Sequence, residues 1–138
     1  MSDPAKLPHW VQITPTLGVS DLARAMAFYR DVLGFGVWSP GGGYAYVERE
    51  RVALRILALE VTGANPPGRM HAYVDIIGLD ALFAALEPAL ATLPDDRWGP
   101  PADQPHLQRE FWVRDPDGSL LTFGEGIGPN AAQWDYRL

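Results

Sequence analysis

One pattern occurs twice in this chain, and a duplicated unit restricts the possible folds more than any single motif does. In the first copy Val11, Ile13, Leu17 and Val19 alternate with Gln12, Thr14 and Thr16, the period of a half-buried strand. Leu22, Ala25, Met26, Phe28, Tyr29, Val32 and Leu33 then recur at helical steps of three and four. Ser20 or Asp21 is placed to cap that helix and Gly34 to end it. An offset of 57 residues lays Thr14 on His71, Val19 on Ile76, Leu22 on Leu79, Met26 on Phe83 and Tyr29 on Leu86. Identity between the copies is poor, but polarity and element order agree, which is what duplication of a structural unit leaves behind.

Each strand–helix start is followed by β-rich sequence. After the first come Phe35 to Trp38, the flexible Pro40-Gly41-Gly42-Gly43, and two runs expected to pair antiparallel, Tyr44 to Val47 and Val52 to Leu59. After the second, Pro88 is expected to break or restart the helix, and a Pro- and Gly-containing segment from Pro94 to Pro105 leads to Glu110–Arg114. The turn Asp115-Pro116-Asp117-Gly118 has Pro second and Gly fourth, which suits a type I turn and predicts a hairpin into Ser119–Gly124. The expected organisation is one domain over 8–128, with modules 8–60 and 70–126, a linker at 61–69, and extensions at 1–7 and 129–138.

Composition narrows the chemistry. The 138 residues can close a hydrophobic core without staples. The absence of Cys removes disulfides, thiolate nucleophiles and Cys-type metal sites, and fits a reducing, cytoplasmic setting. No signal peptide and no membrane-length apolar run is readable, so no membrane partner is expected. Lys and Arg number 11 against 17 Asp and Glu, a net charge of −6, which argues against a nucleic-acid partner and suits a cationic or neutral small molecule.

Three stretches taken together resemble a known family. They are Pro15-Thr16-Leu17-Gly18-Val19-Ser20-Asp21-Leu22 running on to Phe28-Tyr29-Arg30-Asp31-Val32-Leu33-Gly34-Phe35, the second strand–helix from His71, and Arg109-Glu110-Phe111-Trp112-Val113-Arg114-Asp115-Pro116-Asp117-Gly118. Their order and spacing resemble the vicinal oxygen chelate superfamily of glyoxalases, extradiol dioxygenases and bleomycin-resistance proteins. The resemblance implies an α+β fold of tandem βαβββ modules, a curled, cup-shaped mixed sheet with helices on the outside, commonly in homodimers.

Strand parity then assigns the faces. Val11, Ile13, Leu17 and Val19 should lie under the first helix, with Gln12, Thr14 and Thr16 opposite. Met70, Ala72, Val74 and Ile76 should be core, with His71, Tyr73 and Asp75 facing the cup. By the same rule Phe111, Val113, Leu121 and Phe123 point inward to core, and Arg55, Glu110, Trp112 and Thr122 to the cup. Metal-dependent relatives carry His, Gln or Glu at four cup positions. The resemblance maps three of these onto Thr14, His71 and Thr122, and the fourth near Arg55. One imidazole, two hydroxyls and a guanidinium make a poor divalent-metal site, so no metal and no cofactor is expected.

The leading expectation is therefore a metal-free binding protein of the bleomycin-resistance type, rather than an enzyme, holding an antibiotic-like ligand by sequestration. Its candidate ligand-binding residues are Thr14, Trp38, Tyr46, Arg55, His71, Tyr73, Asp75, Glu110, Trp112 and Thr122. The enzyme alternative is a metal-free lyase or isomerase with His71 as base and Arg55 as anion anchor; a divergent metal-dependent glyoxalase or dioxygenase stands last. Several other residues have simpler structural readings. Aromatics such as Trp10 and Trp134 suit packing, the two turn aspartates suit turn formation, Glu125 suits a solvated strand end, and Gly124, Gly126 and Gly128 match a phosphate loop only superficially.

Overall fold

The computed structural model describes residues 7–58 and 67–132. Most of the expected linker at 61–69, the outer parts of both extensions and Trp134 lie outside the described residues.

Each module folds as its own four-stranded mixed sheet with a helix on one side. In the first, β1 (Thr16–Val19) pairs in parallel with β4 (Val52–Ala58), and β3 (Tyr44–Arg49) lies antiparallel between β4 and β2 (Gly36–Gly41). The second repeats this order: β5 (His71–Asp75) runs parallel to β8 (Leu120–Gly126), followed by β7 (Gln108–Arg114) and β6 (Trp98–Asp103). The result is an α+β fold with curled sheets.

The helices cover one face of each sheet because one stripe of each is apolar. Helix α1 (Leu22–Ala27) packs on β3 and β4, and α2 (Leu79–Leu90) on β6, β7 and β8. Asp21 caps α1 by accepting from the Arg24 N–H at 3.0 Å. The periodicity predicts one continuous helix to Leu33; instead Phe28–Val32 widens into a π-helical turn, with Leu33 N–H reaching the Phe28 carbonyl at 3.3 Å. That turn buries the consecutive rings of Phe28 and Tyr29 together. Within the core, Phe111 stacks on Phe123 at 4.8 Å and meets Phe83 edge-on at 5.3 Å.

Several local expectations are overturned. Pro88 neither breaks nor restarts α2, which runs through it without interruption to Leu90. The carbonyl it leaves unbonded belongs to Ala84, on the exposed side, where water can satisfy it, and Ala91 N–H to Glu87 O resumes the ladder at 2.8 Å. The first strand starts at Thr16, not Val11, because Pro15 has no N–H for the ladder. Val11 and Ile13, expected in the core, are 87% and 94% exposed. The segment from Pro94 holds a strand, β6, despite Pro100 and Pro101; they sit on an edge strand whose register shifts between Gly99 and Ala102. Glu125 is not a solvated terminus. Its two carboxylate oxygens accept from the N–H groups of Gly78 at 3.0 Å and Leu79 at 2.9 Å, so a strand side chain caps α2 and complements its dipole.

The modules meet through the helix side and the Asp115 turn. Asp115 is fully buried and accepts from the Tyr29 hydroxyl at 3.0 Å and from the N–H groups of Asp117 and Ser119 at 3.0 and 2.9 Å. Burial lifts its carboxyl above the usual range, and burial with the Asp115 charge lifts the Tyr29 phenol further from ionising. Asp117 takes the Ser20 hydroxyl at 2.6 Å and the Ser20 N–H at 3.0 Å, with Arg24 3.7 Å away. The two aspartates do form the expected turn, and the same carboxylates lock the second module onto the first.

Candidate ligand-binding site

With the helices on one side, the opposite face of each sheet is left open. On the second sheet a row runs across the strands from Tyr73 through Thr122 and Trp112 to Gly99, each directly opposite the next. Glycine is required at two points of this face. A Cβ at Gly99 would collide with the Trp112 indole, and one at Gly124 with the Tyr73 ring, so the missing side chains are what let both rings lie down across the sheet.

The polar groups there form a connected set. Tyr73 donates its hydroxyl to Glu110 Oε2 at 2.7 Å, with Gln108 Oε1 at 3.2 Å, and His106 Nε2 meets the same Glu110 oxygen at 2.8 Å. Desolvation, then the bond to Glu110, keeps the Tyr73 phenol protonated far above neutral pH. Partial burial raises the Asp75 carboxyl. His71 Nε2 lies 3.0 Å from the Thr122 hydroxyl, and the Arg114 guanidinium sits 5.9 Å from the Trp112 ring centre. An open pocket of about 290 Å³ lies against this face, lined by Gln104, Glu110, Trp112, Arg114, Thr122 and Pro100 among others.

The first sheet presents a second row, Trp38, Tyr46, Arg55 and Thr16, at the corresponding positions. Arg55 is held by Thr14 Oγ1 at 2.8 Å and the Tyr44 hydroxyl at 2.7 Å, and lies 5.3 Å over Tyr46. Gln12 donates to the Tyr46 hydroxyl at 3.0 Å. Trp38 is 62% exposed beside a pocket of about 220 Å³.

The candidate residues thus divide into two sets. Thr14, Trp38, Tyr46 and Arg55 belong to the first open face, and His71, Tyr73, Asp75, Glu110, Trp112 and Thr122 to the second. Among the described residues no hydrogen bond, ion pair or ring contact joins the sets. His71 and Arg55, paired in the enzyme alternative, are therefore not assembled as base and anion anchor within one sheet. Sequence reasoning missed His106, because it stands on a loop outside any parity argument. It also missed Gly99 and Gly124 as aromatic cradles, although a glycine at an open-face strand position is a signal of close approach.

The comparisons with known proteins agree with this architecture. The family model described as the Glyoxalase/Bleomycin resistance protein/Dioxygenase superfamily matches residues 6–123. A bleomycin resistance protein of Geobacillus stearothermophilus is 26% identical over 132 aligned residues, covering 85% of this chain and 98% of its own. The crystal structure of a bleomycin-binding protein from bleomycin-producing Streptomyces verticillus, complexed with copper(II)-bleomycin, is 26% identical with a TM-score of 0.67 over 88% of this chain and 99% of that one. A bleomycin resistance determinant encoded on the transposon Tn5 shares the fold at 22% identity and a TM-score of 0.70, covering 85% of this chain and 98% of that chain. With a match spanning most of its length and both modules in place, the chain belongs to the Glyoxalase/Bleomycin resistance protein/Dioxygenase superfamily.

Proposed function

We propose that this protein binds an antibiotic-like small molecule, flat or cationic, on its open faces and protects by sequestration, without altering it. The observation that carries the reading is the second face itself, where Trp112 and Tyr73 are laid flat over glycine beside the one-sided carboxylate of Glu110. Such a surface offers π-faces for a planar ligand and a negative charge for its cation. The bleomycin-binding relatives support the ligand class.

The donor set does not fit a catalytic metal. Thr14 and Thr122 offer neutral hydroxyls already engaged with Arg55 and His71, and among the described residues no three of His, Cys, Asp and Glu gather as a metal group. Ligand capture is therefore proposed to be metal-free.

Calorimetric titration with bleomycin and with quinone and polyamine-tailed drugs tests it. Trp112→Ala is expected to cost about 1–3 kcal/mol of affinity while leaving the fold intact. The drug should be recovered chemically unchanged; steady turnover would replace sequestration with the lyase or isomerase reading.

We propose further that the working unit is a homodimer. Leu7, Trp10, Val11 and Ile13 form an apolar, almost wholly exposed arm, and water-exposed apolar runs of this kind are stable once covered by a partner surface. Light scattering at micromolar concentration should report twice 15.2 kDa, falling to the monomer mass when residues 1–13 are removed. A full-length monomer would remove the dimer.

A further inference from the structure

Glu110 is wired asymmetrically. Both of its hydrogen bonds, from Tyr73 and His106, go to Oε2, and no group on the described residues bonds Oε1. The side chain is only 14% exposed and lines the second-face pocket next to Trp112. One oxygen is thus used to fix the carboxylate in place, and the other takes no bond from the described residues. His106 stands at the tip of the β6–β7 connection, where Leu107 takes the left-handed conformation at φ 63°. Its backbone is pinned there: the Leu107 carbonyl accepts from Ile127 N–H at 3.1 Å and Asn130 Nδ2 at 3.2 Å. The imidazole itself is 60% exposed, so it can exchange protons with solvent while keeping its bond to Glu110.

We infer that His106 switches with pH the charge that Glu110 offers to a cationic group on the ligand. The inference rests on the second face being a ligand surface. A neutral imidazole donates one N–H to Oε2 and leaves the carboxylate charge available to an amidinium or ammonium in the pocket. An imidazolium in the same place neutralises that charge, and imidazoles ordinarily exchange these states between pH 5 and 8. The other groups facing Glu110 hold their charge through that range: Tyr73 stays neutral, Gln108 does not titrate, and Arg114 across the pocket stays cationic. Asp75, in the same cross-strand row as Glu110 with Gly124 between them, and His71, further along β5, are the remaining titratable groups on the face.

The test uses 2-naphthamidine, cationic throughout, and 2-naphthamide, its neutral isostere, followed by Trp fluorescence quenching at pH 8 and pH 6. The amidine is expected to bind about five- to tenfold more tightly than the amide at pH 8, with most of that preference gone at pH 6. Glu110→Gln should remove the preference at both pH values. His106→Gln should keep the preference and lose its pH dependence, while His71→Asn and Asp75→Asn retain that dependence. Equal binding of the two probes at pH 8 would overturn charge selection and leave the aromatic surface standing. A pH dependence that survives in His106→Gln and vanishes in His71→Asn or Asp75→Asn would overturn the switch. Absence of quenching by either probe would overturn the ligand surface and this inference together.

Discussion

Asp115→Ala is expected to lower the unfolding free energy by about 3–5 kcal/mol, the largest effect of any polar side chain among the described residues. The Tyr29 hydroxyl, wholly buried, would lose its acceptor, and the Ser119 and Asp117 N–H groups would lose theirs. Each stranded buried donor costs about 1–3 kcal/mol, and the more exposed Asp117 can recover part of its loss from water. Asp117→Ala should cost about 1 kcal/mol or less, because its partners Ser20 and Arg24 face solvent. Urea unfolding followed by circular dichroism measures both, and equal losses would mean the buried carboxylate is not the lock between modules. The pH dependence has a definite sign. Because burial raises the folded-state pKa of Asp115, the folded chain binds its proton more readily than the unfolded chain does. This group's contribution to stability is therefore greatest below the unfolded value near 4 and is lost as pH rises through the folded pKa, opposite to a salt-bridged carboxylate. Asp115→Asn should remove that slope from the difference between variant and parent.

Legibility in the sequence followed how local the governing physics is. The cap at Asp21, the Asp115–Gly118 turn and the alternation in β5 and β7 are decided by neighbours within a few residues, and they appear as read, whereas β8 buries Thr122 and Gly124 along with Leu121 and Phe123. Open-face placement of His71, Glu110 and Trp112 follows from the same period of two. What parity cannot see is which elements a face finally meets. Val11 and Ile13 alternate as well as Leu17 and Val19 do, but Pro15 ends the ladder between them and only the second pair reaches the core. Glu125 looked like a solvated strand end because its partners, the free N–H groups of α2, lie 46 residues or more upstream. Tyr29 and Asp115 are separated by 86 positions, and no periodicity in either segment announces their bond. The division of the candidate residues into two faces is likewise a property of how whole modules pack, through their helices rather than their open sides.

Gly124→Ala is expected to weaken binding of a planar drug by about tenfold or more while lowering stability little. The added methyl would occupy space now filled by the Tyr73 hydroxyl and ring, and that ring, 39% exposed, is free to swing outward where backbone is not. Once displaced, Tyr73 can no longer donate to Glu110, so a stacking surface and the fixed orientation of the carboxylate are lost in one step. Each such contact is worth about 1–3 kcal/mol, which converts to the expected fold-change. Gly99→Ala should act the same way through Trp112. Gly126→Ala supplies the contrast, since its methyl would meet the Asn130 backbone instead of a mobile ring and should reduce stability more than affinity. Isothermal titration beside thermal unfolding separates the two kinds of glycine. If Gly124→Ala and Gly99→Ala bind drug as the parent does, the flat rings are packing rather than recognition, and the ligand must sit elsewhere.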